Sequence, residues 1–102
     1  MNNKYKDLEN KFQQLEADLQ NPAILSDPQK IKDISQEYTE LKPTIEKIRE
    51  LTGIEKGLFE TQNFIDNEKD QQLKEMAEVE LPSLKTKKES LEKELDEMTR
   101  PQ

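Results

Sequence analysis

Tyr5, Leu8, Phe12, Leu15 and Leu19 follow one another at steps of three and four residues. An α-helix brings residues so spaced onto one face, whereas a half-buried strand needs alternation by two. The pattern recurs further along. Ile31, Ile34, Tyr38, Leu41, Ile45 and Ile48 form a second stripe, and Leu73, Ala77, Leu81, Leu84, Leu91, Leu95 and Met98 form a third. Little apolar material lies outside these stripes. Only 30% of the 102 residues are hydrophobic and 38% are charged. That is too few apolar side chains to fill a large globular core. What remains is a disordered polyelectrolyte or a set of long helices joined along thin apolar seams. The stripes choose the helices.

Breakers and caps divide the chain. Pro22 pushes Asn21 out of the α region, so a first helix is expected over about residues 4–20. Residues 21–27 then form a connector of about seven residues, with Ile24 and Leu25 turned into the core. Ser26-Asp27-Pro28-Gln29 reads as a helix start capped by a short side-chain oxygen; if Ser26 is the cap, Gln29 completes a capping box. A long helix follows over about residues 28–65. Its stripe slips in phase after Ile48, through Leu51 and Ile54, and resumes at Leu58, Thr61 and Ile65, which re-aims the seam. At about 1.5 Å per residue this helix would reach ~57 Å. Residues 66–70 form an acidic turn with Asn67 or Asp70 as the next cap. A last helix runs over about residues 70–99, with the stem of Lys88 lying along the seam.

The fold class is therefore all-α. Three antiparallel helices are expected in one domain over residues 1–102, a short first helix packed on a long coiled-coil-like helical hairpin. Leu41 and Leu84 lie on the stripes and are expected to be buried. Pro82 falls inside the last helix and should bend it, with Gly53 and Gly57 on the facing segment giving room. Alternatively, Gly53 ends one helix and a separate one follows.

Composition excludes several kinds of chemistry. The longest apolar run is Ala23-Ile24-Leu25, so no segment is long enough to cross a membrane as a helix. With 0 Cys there is no disulfide and no thiolate metal site, and with 0 His the commonest general base and metal ligand are absent. Ser35, Ser83 and Ser90 have no imidazole to activate them. The acidic pairs Asp33/Glu37, Glu46/Glu50 and Glu92/Asp96 flank the stripes and read as solvated faces rather than metal sites. No glycine-rich phosphate loop is present. No catalytic residue, cofactor or metal is expected.

The net charge is -7; residues 1–51 carry 8 Lys/Arg against 10 Asp/Glu, and residues 52–102 carry 8 against 13. Such a chain is poorly suited to embracing a phosphate backbone. Lys85, Lys87 and Lys88 form the one dense basic spot, the candidate contact with an anionic partner, although Glu89 and Glu92 stand four residues after Lys85 and Lys88 as helix-face partners. Tyr5, Phe12, Tyr38, Phe59 and Phe64 lie on or beside the stripes and are expected in the core rather than on a base-stacking platform.

The connector is more specific than a generic helix. Asn21-Pro22-Ala23-Ile24-Leu25-Ser26-Asp27-Pro28 leads into Ile34-Ser35-Gln36-Glu37-Tyr38-Thr39-Glu40-Leu41-Lys42-Pro43. These segments, in this order and followed by an acidic turn and a Leu/Glu-rich helix, resemble the N-terminal helical domain of the bacterial class I peptide chain release factors. The likeness is greater to the release factor 1 branch than to release factor 2, and covers about residues 5–98. Pro82 departs from it, since the family usually has an uninterrupted charged helix there. The family's Gly-Gly-Gln hydrolysis loop and Pro-x-Thr codon reader are not in this sequence, so no catalytic or codon-reading residue carries over.

The resemblance implies a non-catalytic, cytoplasmic, ribosome-facing domain of a factor that directs translation termination. Its implied partner is the large-subunit stalk base near ribosomal protein L11 and its rRNA, with no membrane and no small-molecule substrate. Two other readings stand beside it: the helical tRNA-binding arm of an aminoacyl-tRNA synthetase such as the seryl enzyme, and a scaffolding coiled coil. The charge of -7 and the extra leading helix count against the synthetase arm.

Overall fold

The computed structural model describes residues 2–101. It contains four helices: α1 Asn3–Asp18, α2 Pro22–Leu25, α3 Pro28–Asn67 and α4 Gln71–Met98. There is no strand among the described residues. The all-α class and the packing of a short first helix on a much longer one hold. The connector is not a bare loop, because its Pro-Ala-Ile-Leu forms the single turn α2.

Side-chain caps fix these boundaries. The Asn2 carboxamide oxygen accepts from the Lys4 amide at 2.8 Å, and the Asn21 oxygen accepts from the Ala23 amide at 3.0 Å with Pro22 at the first helical position. Asp27, not Ser26, caps α3. Its Oδ1 accepts from the Gln29 and Lys30 amides at 3.1 and 3.2 Å. Ser26 is already used, since its hydroxyl donates to the Ala23 carbonyl and closes α2. With Pro28 opening α3, the position before it falls to Asp27. The Gln29 side chain therefore completes no box with Ser26 and donates instead to Asp33. At the other end, Asp70 caps α4 by accepting from the Gln72 and Leu73 amides, while the Asn67 carboxamide donates back to the Asn63 carbonyl.

The chain divides into two compact units, residues 1–48 and residues 49–102. In the first unit Tyr5, Phe12 and Leu15 of α1 are buried, as are Thr44, Ile45 and Ile48 of α3. The Phe12 ring stacks on Tyr38, with centroids 4.6 Å apart and planes 14° from parallel. Outside this contact Lys11 Nζ meets Glu37 Oε1 at 2.9 Å. Both groups are exposed, so the pair adds at most about 1 kcal/mol. Ile24 is half-buried, but Leu25 is half exposed and does not plug the core as expected. It is the last residue of α2, and a single turn cannot direct two consecutive side chains inward.

In the second unit the later part of α3 and α4 run antiparallel, joined by residues 68–70. Glu68 Oε1 holds this turn by accepting from the Lys69 and Asp70 amides. Leu51, Ile65, Leu91 and Leu95 are the buried apolar side chains here. The slipped stripe of α3 faces inward throughout, with Leu51 and Ile65 buried and Ile54, Leu58 and Thr61 half-buried. Leu41 and Leu84 are only half-buried, contrary to expectation. A stripe fixes which face of the helix a side chain lies on, not how completely its neighbours cover it.

Neither Gly53 nor a proline ends a helix. α3 continues through Gly53 and past Pro43, and α4 continues past Pro82. No glycine has a positive φ among the described residues. The glycines do not make room for α4 either. A Cβ on Gly53 would meet nothing within 4 Å, and one on Gly57 would meet only Leu84 Cδ1 at 4.0 Å, an ordinary contact. Replacing Gly53 with alanine should then recover the helix-interior penalty of glycine, about 0.8–1 kcal/mol. A thermal melt followed by circular dichroism checks this; a lower midpoint would show that α3 needs glycine there.

Candidate functional site

The closed end of the α3–α4 hairpin carries two unlike grooves. In one, Thr61 and Phe64 of α3 share a wall-to-wall channel with Leu73, Met76 and Ala77 of α4, and Glu60 and Glu80 stand at its edges. In the other, Leu58, Phe59 and Gln62 of α3 face Leu81, Lys85 and Lys88 of α4, with Glu89 and Glu92 beyond. The helical repeat explains the division. Phe59 and Phe64 are five residues apart, which places them well round the α3 barrel from each other, and Met76 and Lys85 separate likewise on α4.

Phe59 and Phe64 are not core residues, as their nearness to the stripe suggested. Phe59 is 69% exposed in one groove and Phe64 is exposed in the other. Met76 is 65% exposed and Val79 79%, and Leu73 is also exposed although it opens the α4 stripe. Tyr5 and Phe12 are buried, as expected, while Tyr38 is only half-buried. Periodicity picked out the right face in residues 1–48, where α1 covers α3, and overstated burial at the hairpin end of residues 49–102.

Of the three lysines, the structure brings Lys85 and Lys88 into one groove. Lys87 lies about 200° round the helix from Lys85. Lys85 and Lys87 are exposed and Lys88 is half-buried. Glu89 and Glu92 line the same groove, yet no ion pair closes between them and Lys85 or Lys88 among the described residues. The two ammonium groups are thus available to an external anion while neighbouring carboxylates limit how strongly they attract one.

The described residues contain no group of three or more carboxylates that could hold a metal ion. Asp33, Glu37, Glu46, Glu50, Glu92 and Asp96 are all exposed. No buried side-chain polar atom lacks a partner among the described residues. No helix is long and apolar enough to cross a membrane. What the hairpin offers is surface: one apolar groove edged by acids and one mixed groove holding two lysines and an exposed phenylalanine.

Comparison with known families gives this surface a context. The PCRF domain profile matches residues 8–102. The chain belongs to the PCRF domain family. Among curated proteins, this PCRF domain is similar to peptide chain release factor 1 of Thermus thermophilus, 37% identical over 89 residues, covering 87% of the chain and 24% of that protein. It is also similar to peptide chain release factor 1 of Lysinibacillus sphaericus, 31% identical over 88 residues, covering 86% of the chain and 25% of that protein. The corresponding protein of Geobacillus is 30% identical over 84 residues, covering 82% of the chain and 24% of the relative. This PCRF domain thus spans about a quarter of the length of the curated relatives it matches. No solved structure matches it. The matched stretch includes the connector and both grooves, and it disfavours the synthetase-arm and scaffold readings.

Proposed function

We propose that this PCRF domain is a non-catalytic, cytoplasmic, ribosome-facing part of a peptide chain release factor, serving translation termination by helping to seat the factor. The observation that carries this reading is the family match over residues 8–102, together with relatives that are themselves release factors. Its chemistry fits a seating role. Ester hydrolysis needs a group placed against the scissile bond, and this chain has 0 His and 0 Cys and no Gly-Gly-Gln. The partner proposed is the large-subunit stalk base near ribosomal protein L11 and its rRNA. Lys85 and Lys88, with Lys87 as an outlying third cation, are the residues proposed to touch rRNA phosphate. An overall charge of -7 keeps that contact local and salt-sensitive.

The test is a release assay on defined termination complexes. The isolated chain is expected to give no peptide release above the no-factor background at any stop codon, while binding ribosomes in co-sedimentation. The double variant Lys85→Glu/Lys88→Glu should bind them more weakly and lose part of the salt dependence. Hydrolysis by the isolated chain would overturn the non-catalytic assignment. Binding to free tRNA in place of ribosomes would restore the synthetase-arm reading.

A further inference from the structure

We propose that the apolar groove at the closed end of the α3–α4 hairpin is a docking site for a basic amphipathic helix of a partner protein. The proposal concerns the groove opposite in character to the lysine groove, and it stands whether or not the domain acts on the ribosome.

Three observations converge on this occupant. The first is exposure. Phe64, Leu73 and Met76 are large apolar side chains left in solvent around one groove of a chain that is only 30% hydrophobic. Scattered single exposures are ordinary, but a contiguous group edged by charge marks an interaction surface. The second is shape. Thr61, Phe64, Leu73, Met76 and Ala77 line a channel between two antiparallel helices, and small Ala77 and Thr61 let another backbone approach. A helix laid there inserts its own ridge of side chains and completes a three-helix packing. Met76, unbranched and polarizable, adapts to the side chain that meets it.

The third is charge. Residues 60–80 hold seven Asp/Glu and two Lys. Glu60 and Glu80 stand at the groove itself. A helix with leucines or isoleucines along one face and lysines or arginines on its flanks would bury the first and pair the second. The same charge disfavours the other occupants. Nucleic acid brings phosphates to an acidic site. An anionic membrane surface is repelled in the same way. A second copy of this chain would set the acidic stretch against itself.

The experiment uses the 102-residue chain and a fluorescein-labelled synthetic peptide of roughly 18 residues, five helical turns. The peptide has leucine at steps of three and four and lysine elsewhere. A second peptide of the same composition has its leucines shuffled around the helix. Fluorescence anisotropy is expected to show the patterned peptide binding at least roughly tenfold tighter than the shuffled one. Met76→Glu is expected to weaken the patterned peptide by a similar factor. This variant adds a negative charge, so mere attraction between acid and base predicts tighter binding, and the sign separates the two cases. Because Met76 is largely exposed, the variant should keep its helical signal, which circular dichroism verifies. Amide shifts in a nitrogen-15 spectrum should cluster at Thr61, Phe64, Leu73, Met76 and Ala77.

Equal binding of both peptides, or unchanged or tighter binding by Met76→Glu, would overturn the proposal. So would dimerisation in analytical ultracentrifugation that Met76→Glu abolishes, or displacement of the peptide from the groove by an RNA stem-loop. None of these outcomes bears on the release assay, so the groove and the ribosomal reading stand or fall separately.

Discussion

Phe12→Ala should lower the stability of residues 1–48 by about 3–5 kcal/mol, the usual cost of truncating a buried aromatic ring. Phe12 is 3% exposed, and its ring lies flat against Tyr38. Two losses combine in the variant. The ring's burial goes, and Tyr38 loses the face it stacks on, worth about 0.5–1.5 kcal/mol by itself. A chain of this length has about 5–15 kcal/mol of total stability. The thermal midpoint of the α-helical signal should therefore fall by about 10 °C or more. Phe12→Leu keeps most of the buried area and should fall by much less. A midpoint unchanged in Phe12→Ala would mean that α1 is not held on α3 by this contact.

Leu95→Ala should be the most damaging change in residues 49–102. Leu95 is 0% exposed and belongs to the small set of fully buried side chains. Its truncation removes apolar burial and leaves a cavity, together about 2–5 kcal/mol. The thinness of the seam sharpens the effect, since few other side chains share the load. Val79→Ala is the natural control. Val79 is 79% exposed, so its truncation should move the urea midpoint little. Equal shifts in the two variants would contradict the burial pattern described for α4.

Much of this architecture was legible in the chain. Steps of three and four gave the helices, and Pro22, Pro28 and Asp70 gave their starts, because these features act over a few residues of local backbone. The errors share a physical origin. Ser26 and Asp27 are both good caps, and only the competing use of Ser26 to close α2 decides between them. Leu41, Leu84 and Leu73 lie on a stripe, but a stripe defines a face and does not say how many neighbours cover it. Gly53 and Gly57 read as room for a bend in α4, but a side chain at either would meet nothing closer than an ordinary contact. The lysine cluster was visible as a run, yet adjacency in sequence hid that Lys87 points away from Lys85 and Lys88. The apolar groove was missed altogether. Phe64, Leu73 and Ala77 lie on or beside stripes that read as core, and the one sequence signal that marks the groove is the concentration of carboxylates around apolar residues 64–79.

The short turn at residues 68–70 also orders events in time. Phe64 and Leu73 are about nine residues apart along the chain, whereas Leu84 reaches Gly57 across about 27. Closing the shorter loop loses less chain entropy, so the hairpin zips from the turn outward. Helical pairs dominated by such near-neighbour contacts fold in microseconds to milliseconds. The end that closes first is also the end that keeps Phe64, Leu73 and Met76 in solvent, and it does so while the remaining seam is still open. Clustered carboxylates are what natural sequences place beside exposed apolar segments to discourage aggregation. Here seven carboxylates within residues 60–80 lie along the segment that closes first, and two of them, Glu60 and Glu80, remain at the edges of the finished groove.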